Sequence, residues 1–278
     1  MCRWLAYSGT PVRVDELIVT PKHSLIDQSL HSTLGAETTN GDGFGLGWYG
    51  VGSSPGVFHS VEPAWNNRNL RELARHLVSP MVFAHIRAST GGPIQQTNCH
   101  PFRFGPWLWM HNGLIREFRT IKRDLVLAVD PELFPFIEGT TDSETFFFLA
   151  LTFGLRDDPP AAVERAVGLI EDVGRAHGIE HPIQMTVATG DGERLWAFRY
   201  SSEGSSRSLF VSTAIDTLRA QYPNNPRLWE VGEGTRIVVS EPFGGLVGAW
   251  NEVPESSWVV IEPGADRIEA FTPRPPQR

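Results

Sequence analysis

The residues able to do chemistry are few and far apart in the chain. Cysteine stands at position 2, directly after the initiator methionine. A small residue there lets the methionine be trimmed, which leaves a thiol and a free α-amine on one residue, a nucleophile beside its own base. The plain alternative is a small residue tolerated at the chain start. Arg87 closes the apolar run 81–86 and precedes Ala88-Ser89-Thr90-Gly91-Gly92. A guanidinium at a strand end can clamp a carboxylate in bidentate fashion or serve in a surface ion pair. Asn112-Gly113 follows the apolar run 107–110. Asn-Gly is a strong turn dipeptide, yet it also offers a side-chain amide and an unobstructed backbone N–H, the two donors of an oxyanion hole. Thr141-Asp142-Ser143-Glu144 has the spacing of a capping box. A carboxylate in that first turn suits the helix dipole and can also receive an α-ammonium group.

Other groups read as structural. The nine histidines invite a metal hypothesis, chiefly at His85, His100 and His111, but none of those three falls in an H-x-x-x-H or C-x-x-C spacing. The expectation is no metal and no cofactor. Gly45-Leu46-Gly47-Trp48-Tyr49-Gly50 matches G-x-G-x-x-G formally. A dinucleotide site needs a helix to follow, and the loop-like Val51-Gly52-Ser53-Ser54-Pro55-Gly56 follows instead. A strand whose missing side chains permit close backbone packing explains the run better. Cys99 is expected to be a small buried or half-buried residue beside the pocket, with no assigned role.

These residues must be positioned by a sizeable fold. The chain has 278 residues, 41% hydrophobic and 10% aromatic, enough to build a large core and to exclude wholesale disorder. The net charge of -8 and the lack of a Lys/Arg-rich run argue against a nucleic-acid partner. No apolar stretch approaches the roughly 20 residues of a membrane span, and the N-terminus lacks the pattern of a signal peptide. Two cysteines cannot form a disulfide scaffold, so thiol chemistry in a reducing cytoplasm is expected.

Periodicity predicts a strand over 3–8 ended by Gly9, a turn and Gly-rich strand over 42–50, and a helix over 68–78. Strands near 81–88 and 107–111, a helix near 116–128 and helices after Thr141 and around 163–170 follow. Short strands dominate from 183: at 183–189, 194–200, 208–213, 235–240, 245–250 and 257–262, with 201–208 as a hairpin loop. Strands, then helices, then strands is not βαβ alternation. It predicts an α+β fold of antiparallel sheets with helices on their outer faces. Residues 1–272 read as one domain and 273–278 as a loose tail.

Together the pieces resemble the class II glutamine amidotransferases, the N-terminal-cysteine branch of the Ntn hydrolases. The resemblance rests on Met1-Cys2, the His85–Thr90 segment, Asn98-Cys99-His100-Pro101, His111-Asn112-Gly113 and Asp142-Ser143-Glu144. The opening Met1–Leu5, the Asp42–Gly45 turn and Val239-Ser240-Glu241-Pro242 look closest to stand-alone bacterial members, one of which cleaves a γ-glutamyl amide in ergothioneine synthesis. The resemblance implies a four-layer αββα sandwich. It implies Cys2 as nucleophile with its own amine as base, and Asn112 and Gly113 as oxyanion hole. Arg87 would bind the α-carboxylate of a glutamyl group with help from Thr90, and Asp142 would bind its α-ammonium. The expected partner is a small γ-glutamyl substrate. An ammonia-accepting enzyme on another chain, or a non-catalytic module that binds γ-glutamyl ligands, are the alternatives, and the oligomeric state stays open. Ala88 stands where hexosamine-phosphate-synthase-type members usually have Trp, and Gly91 where they tend to have His. Both changes imply a looser pocket or a larger leaving group.

Overall fold

The first strand explains the layering. Trp4 and Ala6 alternate with Leu5 and Tyr7, and all four are buried. A strand apolar on both faces must be covered on both sides. The computed structural model describes residues 2–34, 39–50, 52, 54–89, 92–262 and 266–276. The first half runs β1 (Arg3–Arg13), α1 (Asp15–Ile18), α2 (Leu25–Leu30), β2 (Phe44–Trp48), β3 (Gly56–Ser60), α3 (Arg68–His76), β4 (Val78–Ile86), β5 (Phe102–Phe104) and β6 (Trp107–Ile115). Helices α4 (Phe118–Leu127), α5 (Asp142–Thr152) and α6 (Pro159–Ala176) follow. The second half runs β7 (Ile183–Gly190), β8 (Leu195–Ser201), β9 (Phe210–Ser212), α7 (Ile215–Gln221), α8 (Pro226–Trp229), β10 (Arg236–Val239), β11 (Trp250–Glu252), β12 (Ser257–Ile261) and β13 (Arg267–Ala270).

Seven strands form one sheet, in the order β11-β9-β10-β1-β4-β2-β3, and six form the other, β13-β12-β8-β7-β6-β5. Trp4, Met81 and Phe83 of the first sheet pack against Leu108, Met110, Ala188 and Ala197 of the second, and this inner layer joins the sheets. The other face of the first sheet packs on α1, α2 and α3 through Leu5, Leu17, Ile26, Leu70 and Ala74. The other face of the second sheet carries the largest cluster, where Trp109 and Val187 meet Phe146, Phe147, Val163 and Ile170 of α5 and α6. The result is an α+β, four-layer αββα sandwich of antiparallel sheets, as the sequence predicts.

Several local expectations are corrected. The first strand does not stop at Gly9. It continues to Arg13 past a register shift between Ser8 and Val12, so Gly9 marks a bulge. Residues 201–208 do not form a hairpin: β8 is already flanked by β7 and β12, and the chain crosses to the other sheet to reach β9. Residues 245–249 are irregular, with a turn at Val247–Gly248 and Gly248 at φ +74°, and the strand begins only at Trp250. By contrast, the glycine-rich β2 is a strand, as expected. A Cβ on Gly45 would sit 2.0 Å from the His100 carbonyl oxygen, so the close backbone approach requires glycine. At the other end of the chain, Thr272 and Arg274 donate backbone hydrogen bonds to Glu164 on α6.

Candidate active site

Strand pairing brings the distant residues together. Arg3 pairs with Ile86 in the β1–β4 ladder, so Cys2 lies beside the residues just after β4. The Ala88 N–H points at Cys2 Sγ at 3.5 Å, and Sγ lies 3.6 Å from the Ala88 carbonyl oxygen. Burial pushes the Cys2 thiol pKa up, while the Ala88 N–H and the Arg87 charge act against that rise.

Arg87 is 5% exposed. Its guanidinium donates to Ser89 Oγ at 3.2 Å and more weakly to the Asp42 carbonyl at 3.5 Å, and it makes no ion pair with a carboxylate among the described residues. The backbone around it is fixed by the Asp42–Gly43 turn. The Gly43 carbonyl accepts Arg87 N–H at 2.8 Å, and Asp42 Oδ2 accepts Ser89 N–H at 2.7 Å.

Strand β6 supplies the facing wall. Arg116 N–H donates to Pro182 O at 2.8 Å, which sets the phase of the β6–β7 ladder. In an antiparallel ladder the N–H groups alternate sides, so those of Gly113 and Ile115 point away from β7. Ile115 bears this out by donating to Asp142 Oδ2 at 2.8 Å. The Gly113 N–H, two residues earlier, faces the same side, beyond the reach of β5, which pairs only as far as Trp109. Asn112 is buried on the opposite, inter-sheet face, the face shared by Leu108 and Met110. Its ladder partner Thr186 accepts a hydrogen bond from Trp4 Nε1 at 3.2 Å, so Asn112 sits near the start of β1.

Asp142 opens α5, and Thr141 Oγ1 caps that helix by accepting Glu144 N–H at 3.2 Å. The capping-box spacing is present, but Glu144 turns away from Thr141. Its oxygens accept the Glu138 and Gly139 N–H groups at 2.9 and 2.7 Å instead. Asp142 Oδ1 accepts the Ser143 N–H at 2.8 Å.

Cys2, Arg87, Gly113 and Asp142 line one cavity of about 790 Å³. Asn112 is adjacent but is not among the lining residues, and Thr90 lies outside the described residues. The walls carry Arg87, Arg116, Arg119 and Lys122 against Glu117 and Asp142, a net positive site in a chain of charge -8. A groove of similar volume at the start of α6, walled by Asp157, Glu164, Arg194, Trp258 and Arg267, has no cysteine, serine or histidine among its lining residues.

Beneath the cavity lie the three histidines that the sequence singles out, gathered into one cluster that no spacing signal foretells. His100 and His111 line the cavity, and the ring of His85 packs 4.2 Å from that of His100. Both nitrogens of His85 and of His100, and Nε2 of His111, are buried without a protein partner among the described residues. Burial holds all three imidazoles neutral, with the pKa of His85 pushed down to about 3. His111 Nδ1 meets Ser143 Oγ at 2.8 Å, which links this group to the start of α5. These three rings share no H-x-x-x-H spacing, because three separate segments bring them together. Cys99 is buried next to the same region, its thiol pushed up to about 11 by burial, and does not line the cavity.

An αββα sandwich with a thiol at the head of a central strand defines a class, and comparison with known proteins agrees. Residues 21–211 match the family model for class-II glutamine amidotransferases. The chain belongs to that family. It is 35% identical over 294 aligned positions to the probable glutamine amidotransferase DUG3 of Saccharomyces cerevisiae, covering 94% of this chain and 82% of that one. It is 33% identical to the gamma-glutamyl-hercynylcysteine sulfoxide hydrolase of Mycobacterium tuberculosis over 41% of this chain and 50% of that one. Among solved structures, a glutamine aminotransferase class-II domain protein from Silicibacter pomeroyi superposes with a TM-score of 0.73 at 29% identity, covering 98% of this chain and 100% of that one. The glutamine phosphoribosylpyrophosphate amidotransferase of B. subtilis, 13% identical with a TM-score of 0.63 over 98% of this chain and 49% of that one, shares the fold. The chain is thus an amidohydrolase-type enzyme of the class II family.

Proposed function

We propose that the protein hydrolyses a γ-glutamyl amide, either glutamine or a larger γ-glutamyl compound, through a thioester on Cys2. The observation that carries this reading is the meeting of Cys2, Arg87, Gly113 and Asp142 from four separate segments on one cavity. With Met1 removed, the Cys2 amine takes the thiol proton and the sulfur attacks the side-chain carbonyl. The oxyanion takes hydrogen bonds from the Gly113 N–H and the Asn112 amide, each such donor being worth about 10²–10³ in rate. The C–N bond breaks as the Cys2 ammonium returns the proton to the leaving amine. Water, deprotonated by the same amine, then attacks the thioester, and glutamate leaves. Arg87, assisted by Thr90, holds the α-carboxylate, and Asp142 holds the α-ammonium.

Two further observations support the reading. The Arg87 guanidinium is buried and has no anionic partner among the described residues, which suits a carboxylate ligand. The cavity has room beyond a glutamyl group, which suits a leaving amine larger than ammonia. The reducing cytoplasm suits a free thiol of this kind.

The test is intact-mass measurement after incubation with a glutamine-mimicking electrophile, together with hydrolysis assays on glutamine and γ-glutamyl amides. Loss of Met1 and a single adduct on Cys2 are expected, and Cys2→Ala should abolish both adduct and turnover while keeping the wild-type melting temperature. A wild-type chain that retains Met1, or a Cys2→Ala variant that still hydrolyses, would refute the mechanism.

A further inference from the structure

Val239-Ser240-Glu241-Pro242 is a segment that the chemistry above leaves unused. It follows β10, and it grips the chain around Cys2. The Ser240 N–H donates to the Trp4 carbonyl at 3.1 Å, and the Trp4 N–H donates to Ser240 Oγ at 3.0 Å. Glu241 is 1% exposed. Its Oε2 accepts Arg3 Nε at 2.7 Å and Leu34 N–H at 3.1 Å. Its Oε1 accepts Thr33 N–H at 2.8 Å, Thr33 Oγ1 at 2.7 Å and His23 Nε2 at 2.6 Å. Arg3, itself 1% exposed, extends Nη1 to the Cys2 carbonyl at 3.0 Å. One carboxylate is therefore two hydrogen bonds from the backbone of residue 2, and it also holds the segment 33–34.

A buried ion pair is a poor device for stability alone, because apolar residues of the same volume commonly do as well or better. Its value here is directional. The planar guanidinium has donors on two sides, one spent on Glu241 and the other on the Cys2 carbonyl. We infer that Glu241 is a positioning residue for Cys2, acting through Arg3, and that it ties the 33–34 segment to the same point. The inference rests on the reading of Cys2 as the reacting residue. Arg87 and Asp142 are untouched by this link, so a fault in it displaces the sulfur without loosening the amino-acid end of the substrate.

The experiment compares wild type, Glu241→Gln, Glu241→Asp and Arg3→Lys in steady-state hydrolysis of a γ-glutamyl amide. It also follows the rate of Cys2 alkylation by iodoacetamide without substrate, and the melting temperature. Glu241→Gln keeps the shape and removes the charge. Arg3→Lys keeps the ion pair, but a single ammonium cannot bridge Glu241 and the Cys2 carbonyl as the fork does, so it reads the link even if Glu241→Gln fails to fold. The expected result for Glu241→Gln and Arg3→Lys is kcat lower by about 10- to 100-fold with KM within about threefold, slower alkylation, and partial recovery in Glu241→Asp. Folded variants with wild-type kcat and alkylation rate would overturn the inference, as would a loss confined to KM. A wild-type chain that turns over no γ-glutamyl amide defeats the hydrolase reading instead, and slower alkylation in the variants would still support the clamp.

Discussion

Arg87 is a buried cation that spends its guanidinium on a hydroxyl and a distant carbonyl. A charge so placed costs free energy until an anion arrives, and charge-assisted hydrogen bonds are worth about 1.5–3 kcal/mol each. Arg87→Ala should therefore lower kcat/KM by about 10- to 100-fold for γ-glutamyl substrates with a free α-carboxylate, and far less for their α-amides; equal losses on both would make Arg87 structural. Residue type and local context made Cys2, Arg87 and Asp142 legible in the sequence, since each sits at a recognisable strand or helix end. The three histidines stood out as residues, but their clustering was illegible. Their common property is burial beside one another, and that arises only when β4, the 98–101 segment and β6 meet.

At the scale of elements, β6 decides the geometry of the facing wall. A Cβ on Gly113 would lie 1.9 Å from the Gln184 carbonyl oxygen in the paired strand β7. Backbone cannot yield there without parting the two strands. Gly113→Ala should cost roughly 2–3 kcal/mol, within the range of overpacking, read as a lower urea midpoint, with turnover falling in the same variant. A variant of wild-type stability would show that β6 and β7 separate freely. Most element types and their order were readable from periodicity, because both sheets and α6 follow simple apolar patterns. The errors have a physical pattern. A loop between two strands looks the same in sequence whether it makes a hairpin or crosses to another sheet, and 201–208 crosses because both edges of β8 are occupied. The small helices α1, α2, α7 and α8 are four to seven residues long, too short to display a stripe.

At the scale of the whole molecule, the layer beneath the cavity makes stability sensitive to acid. A free imidazole titrates near pH 6.5, whereas His85 is held near 3 and His100 well below its ordinary value. Between those limits the unfolded chain binds more protons than the folded one. The stability present above about pH 6.5 is therefore lost as pH falls toward 3, with a slope of up to about 1.4 kcal/mol per pH unit for each such group. Urea unfolding between pH 7 and pH 4 should show this decline, and His100→Gln should make it shallower. An unchanged slope would mean that His100 already carries a proton in the fold. The two-sheet architecture was legible from the strand-helix-strand order, but the pairing of β1 with β10 was not, because nothing local links positions that far apart.

That pairing has a consequence for how the protein is made. The strand that follows Cys2 lies between β4 and β10, and the Cys2 carbonyl is held through Arg3 by Glu241. The segment from β10 to Glu241 is made long after β1, so β1 lacks one of its strand partners until that segment is present. The backbone around Cys2 is therefore fixed in place only when that late segment docks.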